Sequence, residues 1–457
     1  AYRAMQNGEP GHVKYRDIES GSTGYFFYNT VPPDNYSIGA SFLTQDMVGS
    51  SRPVSRRIIH IALAFSTFLI LIIAMIFGRD ELDRREIEQL SLLTTGLLIC
   101  VVVLIGWLQH NDTPEFDANQ TPPIVNTDAL DKFIVTVNDR ADSLKIAAPT
   151  TVPTGVYIER LEFADSYNVN ISGQIWMKYP ENLADNPDIG FGLRFPQISP
   201  FAESAMIEEV QREIIPAQEG ADGYLHILWD YRVTLRMNLE YGNFPFDKRH
   251  LNIEISPLSA SDNIVLVPDL SSYEVTNPSR MPGISADIDL PGSAVTKTYF
   301  NFELQNYTTD FGYGSKTMFQ NVPTLQYNVH LRRKLLNAFI TYLIPIFVTL
   351  SLIYILILAC EKTEARQGII ESMAAFFFVL IFSHIDLRKD IVTADLIFIE
   401  YFYFATYLMV ILSTANLIAY TKSRTSLFDY NDNQLYRAVY FPIFFTLMLI
   451  VMLWKFY

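Results

Sequence analysis

Long apolar runs commit much of this chain to a lipid environment. Ile58 to Phe77 and Leu90 to Leu108 each approach the ~20 apolar residues that span a hydrocarbon core. Leu335 to Cys360, Leu396 to Tyr420 and Val439 to Leu453 are further runs, and Ile369 to Ile385 is a shorter one interrupted by Glu371. Together they predict an integral membrane protein with six transmembrane helices. Gly78 to Gln89 is short and highly charged, so the first two runs form a tight hairpin that returns the chain to the side it left. Lys and Arg near the helix ends number nine on that side and eight on the other, a balance that leaves the orientation open.

Between the second run and the third the period changes to two. Leu225, Ile227, Trp229, Tyr231, Val233, Leu235, Met237 and Leu239 alternate with mostly polar residues, the pattern of a strand with one buried and one wet face. The same alternation marks Leu251, Ile253, Ile255 and Leu325, Tyr327, Val329, Leu331. Val156 to Ile158, Ile171 to Met177 and Ile264 to Val267 add short strands, with turns such as Asp222-Gly223 and Pro291-Gly292 between them. Many short strands without helical period predict a β-sandwich over 151–333, followed by an α-helical four-helix transmembrane domain over 334–457. Ahead of these stand a partly disordered tail (1–50), the transmembrane helical hairpin (51–110) and a linker (111–150). Pro345, lacking an N–H, predicts a kink in the first helix of the C-terminal half.

Charge narrows the partners. From Asp112 to Leu331 there are 14 Lys and Arg against 30 Asp and Glu, a net of −16 within a chain whose formal charge is −15. Such a field concentrates cations and disfavours nucleic acid, or else serves only solubility. The two cysteines, Cys100 and Cys360, both lie in apolar runs and offer neither a disulfide framework nor a metal site. No phosphate loop, nucleophile elbow or metal-ligand cluster is present. An enzyme is therefore not expected, nor any cofactor.

Gly242-Asn-Phe-Pro-Phe-Asp247 sits between two of the alternating strands. Aromatics on both sides of a proline make Phe244-Pro245 a candidate cis turn that buries its rings and fixes Asp247; an ordinary hairpin corner is the alternative. The order of this corner, a following strand, the basic pair Arg332-Arg333 twelve residues before Pro345, and four apolar segments resembles the pentameric ligand-gated ion channel family in its prokaryotic form. Val156-Tyr-Ile-Glu159, Phe244-Pro-Phe-Asp247 followed by Leu251, Asn263-Ile-Val-Leu266 and Leu396-Ile-Phe-Ile-Glu-Tyr-Phe-Tyr-Phe404 carry the resemblance. It covers Thr151 to Tyr457. The chain departs from that plan in its tail and hairpin, in lacking the paired loop cysteines of animal members, and in Arg249, where a Gln is common.

What the resemblance implies can be stated residue by residue. It implies a homopentamer in membrane lipid, the β-sandwich outside the cytoplasm, gated by a small-molecule or ion ligand and conducting cations. The coupling triad would fall on Asp165, Asp247 and Arg333. The second pore-domain helix would start near Glu364, with Glu364, Gly368, Glu371 or Ser372, Ala375, Val379 and Phe382 on one face, giving two acidic rings and an apolar gate. Glu371 would then face water or protein, the alternative being a neutral, hydrogen-bonded acid in a packed bundle. The ligand would sit beneath the hairpin at 308–321. There Tyr299, Phe302, Tyr307, Phe311 and Tyr313 could hold a cation beside Asp310, or else serve as core packing. Protons or divalent cations are further candidate ligands, with His330 and His384 as pH-responsive groups. The competing expectation is a non-conducting scaffold or sensor that docks a membrane-protein partner through the N-terminal hairpin.

Overall fold

A computed structural model describes residues 11–16, 23–31, 36–43, 84–111, 122–144, 146–184, 190–200, 205–217, 223–258, 263–309, 312, 321–360, 366–422 and 433–456. In chain order these form strands β1 (Gly11–Arg16), β2 (Thr23–Val31) and β3 (Tyr36–Leu43), then helices α1 (Arg84–Asn111) and α2 (Thr127–Leu144). Nine strands follow: β4 (Thr150–Phe163), β5 (Asn168–Pro180), β6 (Leu193–Arg194), β7 (Met206–Ile215), β8 (Tyr224–Arg236), β9 (Lys248–Pro257), β10 (Ile264–Pro268), β11 (Ser293–Gln305) and β12 (Val322–Arg333). The chain closes with helices α3 (Leu335–Ala359), α4 (Arg366–Asp390), α5 (Phe398–Lys422) and α6 (Gln434–Phe456). Two compact units result. The sheet unit comprises Ala1–Gly49, Pro114–Leu239 and Lys248–Arg332; the helical unit comprises Ser50–Thr113, Glu240–Asp247 and Arg333–Tyr457.

The sheet unit contains a five-stranded sheet in the order β10-β4-β5-β8-β7 and a four-stranded sheet in the order β11-β12-β9-β6. Its core is the period-two pattern made solid. In β8 the alternate residues Leu225, Ile227, Trp229, Tyr231, Val233 and Leu235 are all buried. In the other sheet Leu325, Tyr327 and Val329 of β12 lie directly opposite Ile255, Ile253 and Leu251 of β9. A one-residue slip would turn both rows away from the core, so burial fixes the register. β10 runs parallel to β4, whereas β4 pairs antiparallel with β5. Next to the irregularity between Ile158 and Arg160, a Cβ on Gly173 would stand 2.0 Å from the Tyr157 carbonyl oxygen, so no side chain fits there.

Two segments of the N-terminal third contain regular elements that the sequence reading did not assign. The segment read as a partly disordered tail contains the antiparallel meander β1-β2-β3, in which Phe27 of β2 stands opposite His12 of β1 and Ala40 of β3. The segment read as a linker contains α2, capped by Asn126, whose Oδ1 accepts the Ala129 N–H at 2.8 Å. α2 buries Val137 and Ala141, and Phe133 stacks on Phe302 of β11 at 3.5 Å between ring centroids.

In the helical unit α1, α3, α4, α5 and α6 are each long and apolar enough to cross a membrane. These are five among the described residues, not six; the expected helix Ile58 to Phe77 lies outside them. α1 packs along α6, and α4 packs against α5 and α3. α3 carries a π-helical turn, Phe339–Leu343, immediately before Pro345. Because Pro345 has no N–H, the carbonyl one turn earlier has no ordinary helical donor, and the wider turn absorbs that loss.

His330 of β12 supplies a test of the sheet packing. Its Nε2 lies 2.8 Å from the Tyr299 hydroxyl, and its ring meets His250 edge-on at 4.1 Å. Burial, then the neighbouring His250 and Lys297, push its pKa down to about 3 from the ordinary 6.5. The folded state thus holds the neutral ring while the unfolded chain takes up a proton below pH 6.5. Stability is therefore constant above pH 6.5 and falls below it, by about 1.4 kcal/mol per pH unit until the folded ring titrates. Melting curves between pH 7.5 and 5 should show His330→Gln losing less stability on acidification than the wild type, by up to about 2 kcal/mol at pH 5. Parallel curves would remove His330 from the acid response.

Candidate functional site

The sequence pattern singled out a corner, and in the structure that corner belongs to the helical unit. The Phe244-Pro245 peptide is cis. Tyr241 and Phe244 are buried, and the Phe244 ring meets Tyr342 of α3 edge-on at 5.7 Å. Phe246 packs on Phe398 of α5 at 5.7 Å and on Phe456 of α6 at 5.8 Å. Gly106 of α1 admits that ring: a Cβ there would lie 3.1 Å from Phe246 Cζ. The Phe398 N–H donates to the Gly242 carbonyl at 3.0 Å, supplying a partner for one of the orphan donors at the start of α5.

Asp247 ends the corner, 4 % exposed. Arg333 holds it with both arms of its fork, Nε donating to Oδ1 at 2.8 Å and Nη2 to Oδ2 at 3.0 Å. The same guanidinium lies 4.4 Å from the Phe244 ring centroid. Bidentate geometry and low solvent access distinguish this pair from an ordinary surface ion pair. Two of the three residues assigned to coupling are thus in contact. The third, Asp165, lies in the β4–β5 turn of the sheet unit, where Oδ1 accepts the Tyr167 and Asn168 N–H groups at 2.7 and 2.8 Å and Oδ2 accepts from Asn168 Nδ2 at 2.7 Å. Slight burial opposes its ionisation, but these bonds and the charge of Arg236 leave its pKa lowered.

Beyond the corner the contacts continue into α4. Tyr342, under Phe244, donates its hydroxyl to Asp390 Oδ2 at 2.7 Å, at the last residue of that helix. Tyr403 of α5 donates to the Tyr342 carbonyl at 3.3 Å, and its hydroxyl lies 2.7 Å from Ser383. Stacked on Tyr403 at 4.8 Å is His384, whose Nε2 is 3.0 Å from Glu400 Oε1. Glu400, 1 % exposed, also receives the Ile397 N–H at 2.8 Å and Arg388 Nη2 at 2.7 Å, and Arg388 Nε bonds its other oxygen. The sequence reading placed His384 among pH-responsive groups but missed Arg388, Glu400, Tyr342 and Asp390. An acid at the start of an apolar run, twelve residues after an arginine, was the available signal.

Along α4 the residues assigned to the pore fall on one side. Gly368, Glu371, Ala375, Val379 and Phe382 are exposed and Ser372 half-buried, while Ile369, Met373, Leu380 and Leu387 are buried on the other side. Glu371 Oε1 accepts from Gln367 Nε2 at 2.8 Å. Glu364 lies outside the described residues.

The residues assigned to ligand binding divide differently. Tyr299 and Phe302 are core: the first bonds His330 and the second lies under Phe133 of α2, so neither offers a face to a ligand. Tyr307 is half-buried and donates to Gln305 Oε1 at 2.5 Å. Asp310, Phe311 and Tyr313 lie outside the described residues. Among the described residues no three His, Cys, Asp or Glu side chains are grouped to hold a metal ion. Comparison with protein-family models finds none that matches this chain, and comparison with curated proteins finds no matching relative.

Proposed function

We propose that the chain is one subunit of a homopentameric, cation-conducting channel in which the two sheets form a β-sandwich sensor and α3 to α6 the pore domain. The observation that carries this reading is the stripe on α4. A helix of membrane-spanning length buries Ile369, Met373, Leu380 and Leu387 against its own chain and leaves most of its remaining surface uncovered, including the row from Gly368 to Phe382 with Glu371 in it. A carboxylate facing lipid is costly, and five copies around an axis would turn that row toward water as an acidic ring that favours cations. The Asp247–Arg333 pair, at the joint between a strand and the first pore-domain helix, is the part through which a sensor would act on the pore.

Reconstituted protein should pass monovalent cations in preference to anions, and Glu371→Gln should reduce that preference by several fold. Absence of flux across a panel of ligands and pH values would overturn the conducting reading. Unchanged selectivity in Glu371→Gln would remove the ring. A second reading, a non-conducting sensor or scaffold that docks a partner through its N-terminal hairpin, draws support from the bulky aromatics in and beside the stripe: Phe382 within it and Phe378 beside it are 64 % and 56 % exposed. Subunit counting on the purified protein separates the two from any other architecture, five being the expected number.

A further inference from the structure

The four-stranded sheet carries a polar row on the face opposite its apolar one. On β12 the apolar row is Leu325, Tyr327 and Val329, so Thr324, Gln326 and Asn328 point the other way, yet all three are buried. Gln326 and Asn328 are each 1 % exposed. Gln326 stands directly opposite Glu254 of β9, and its Nε2 donates to Glu303 Oε2 of β11. One amide thus lies between two carboxylates, one on each neighbouring strand. The donation to Glu303 fixes the amide, because the reversed orientation would set its oxygen against a carboxylate. Gln326 Oε1 is therefore turned away from Glu303, and it has no hydrogen-bond donor. Asn328 Oδ1, next along the same face, has none either, while its Nδ2 donates to Asn301 Oδ1 at 2.7 Å.

Buried acceptors without a donor are exceptions in folded proteins, and each carries a desolvation cost that a bound ion or water recovers. The two carboxylates are short of positive charge as well. Glu254 receives only neutral amides, Gln197 Nε2 at 3.2 Å and Gln305 Nε2 at 2.9 Å. Among the described residues neither Glu254 nor Glu303 forms an ion pair. Burial, with the charge of Glu303 adding to it, holds the pKa of Glu254 above the ordinary carboxylate value although the Gln305 bond opposes the rise. We infer that Glu254, Glu303 and the Gln326 side-chain carbonyl form a binding site for a divalent cation of the calcium type, with Asn328 Oδ1 as a further oxygen. A divalent ion brings the opposite charge that both carboxylates lack and a partner for the orphan oxygens, whereas a bridging water brings no charge. The donors are all oxygen, two carboxylates with amide carbonyls beside them, which suits calcium; magnesium demands near-ideal octahedral geometry and gives up its waters reluctantly. With only two carboxylates the site should be weak, with a Kd on the order of 10⁻⁴–10⁻³ M.

Occupancy of this site is independent of ion conduction and is read without flux. The test is isothermal titration and thermal shift on the full chain in detergent, stripped with a chelator and held at constant ionic strength and pH 7.5, with calcium chloride and magnesium chloride as probes. Calcium is expected to bind and raise the melting temperature, and magnesium to do so less at equal concentration. Glu254→Gln and Glu303→Gln should each weaken calcium binding by about tenfold or more. Gln326→Met, which keeps the length of the side chain and removes the orphan oxygen, should weaken it too. Glu213→Gln, at an exposed carboxylate of β7 outside the cluster, should leave it unchanged. Glu303 is half-buried on an edge strand, so its variant retains the fold even if Gln326→Met does not. Lack of calcium binding by the wild type, which a proton shared between Glu254 and Gln326 Oε1 would produce, overturns the assignment. So does binding by Glu303→Gln equal to that of the wild type, magnesium bound as tightly as calcium, or an equal loss in Glu213→Gln, which would reduce the effect to a diffuse acidic field.

Discussion

Arg333→Met is expected to lower the stability of the protein by about 3–5 kcal/mol, and Asp247→Leu by a similar amount, whereas the double variant recovers most of the loss. The asymmetry follows from burial. Either single change strands a charge that the fold has taken out of water, since Asp247 is buried and Arg333 contacts it through two bonds at 2.8 and 3.0 Å. Removing both takes away the two opposite charges together. Denaturant unfolding in detergent measures the cycle, and strictly additive single effects would reduce the pair to the small value of an exposed bridge. The milder Asp247→Asn keeps the shape and one acceptor oxygen, turns the other into a donor and loses the charge. On the channel reading it shifts the ligand or proton concentration for half-maximal opening and leaves unitary conductance intact. A changed conductance would instead put Asp247 in the ion path.

The corner shows what could be read in advance and why. Its cis turn, buried rings and fixed Asp247 follow from local chemistry, because an aromatic-proline-aromatic step and a terminal carboxylate restrict their own surroundings. Strand alternation was legible for the same reason: Leu251, Ile253 and Ile255 and Leu325, Tyr327 and Val329 are all buried, whereas their pairing across β9 and β12 was not foreseen. That Gly368, Glu371, Ala375, Val379 and Phe382 share one side of α4 was legible because helical spacing is geometric. What period could not reveal is which second layer covers a face. Tyr299 and Phe302 lie on β11, where Thr298 to Phe302 are all buried, because α2 brings Phe133 over Phe302 and His330 reaches the Tyr299 hydroxyl. Of the aromatics offered as a cation site or else as core packing, Tyr299 and Phe302 folded as core. α2 itself was signalled by Asn126 ahead of Asp128, an N-cap with an acid in the first turn.

Glu400→Leu is expected to be as damaging within the helical unit as breaking the corner pair, at about 3–5 kcal/mol. Four donors converge on this one buried carboxylate, two from Arg388 together with the Ile397 N–H and His384 Nε2. Arg388 reaches further, Nη1 donating to the Thr393 carbonyl at 2.9 Å and the Asp395 carbonyl at 3.2 Å, so it closes the loop between α4 and α5 as well as the pair. Glu400→Gln keeps the shape and loses the charge, and its cost should be smaller than that of Leu because the amide oxygen still accepts from Arg388. Arg388→Met combined with Glu400→Leu should recover part of the loss and no more, because the loop carbonyls stay without their donor. Functionally the cluster fixes the end of α4 nearest Asp390, the residue to which Tyr342 and, through it, Phe244 of the corner are joined. If α4 lines a pore, Glu400→Gln should alter opening in the absence of ligand while the ion preference set at Glu371 stays as in the wild type. Recordings of basal current and reversal potential on the same variant distinguish the two. A shifted reversal potential would make Glu400 part of the conduction path, whereas an unchanged basal current would leave it a purely structural anchor.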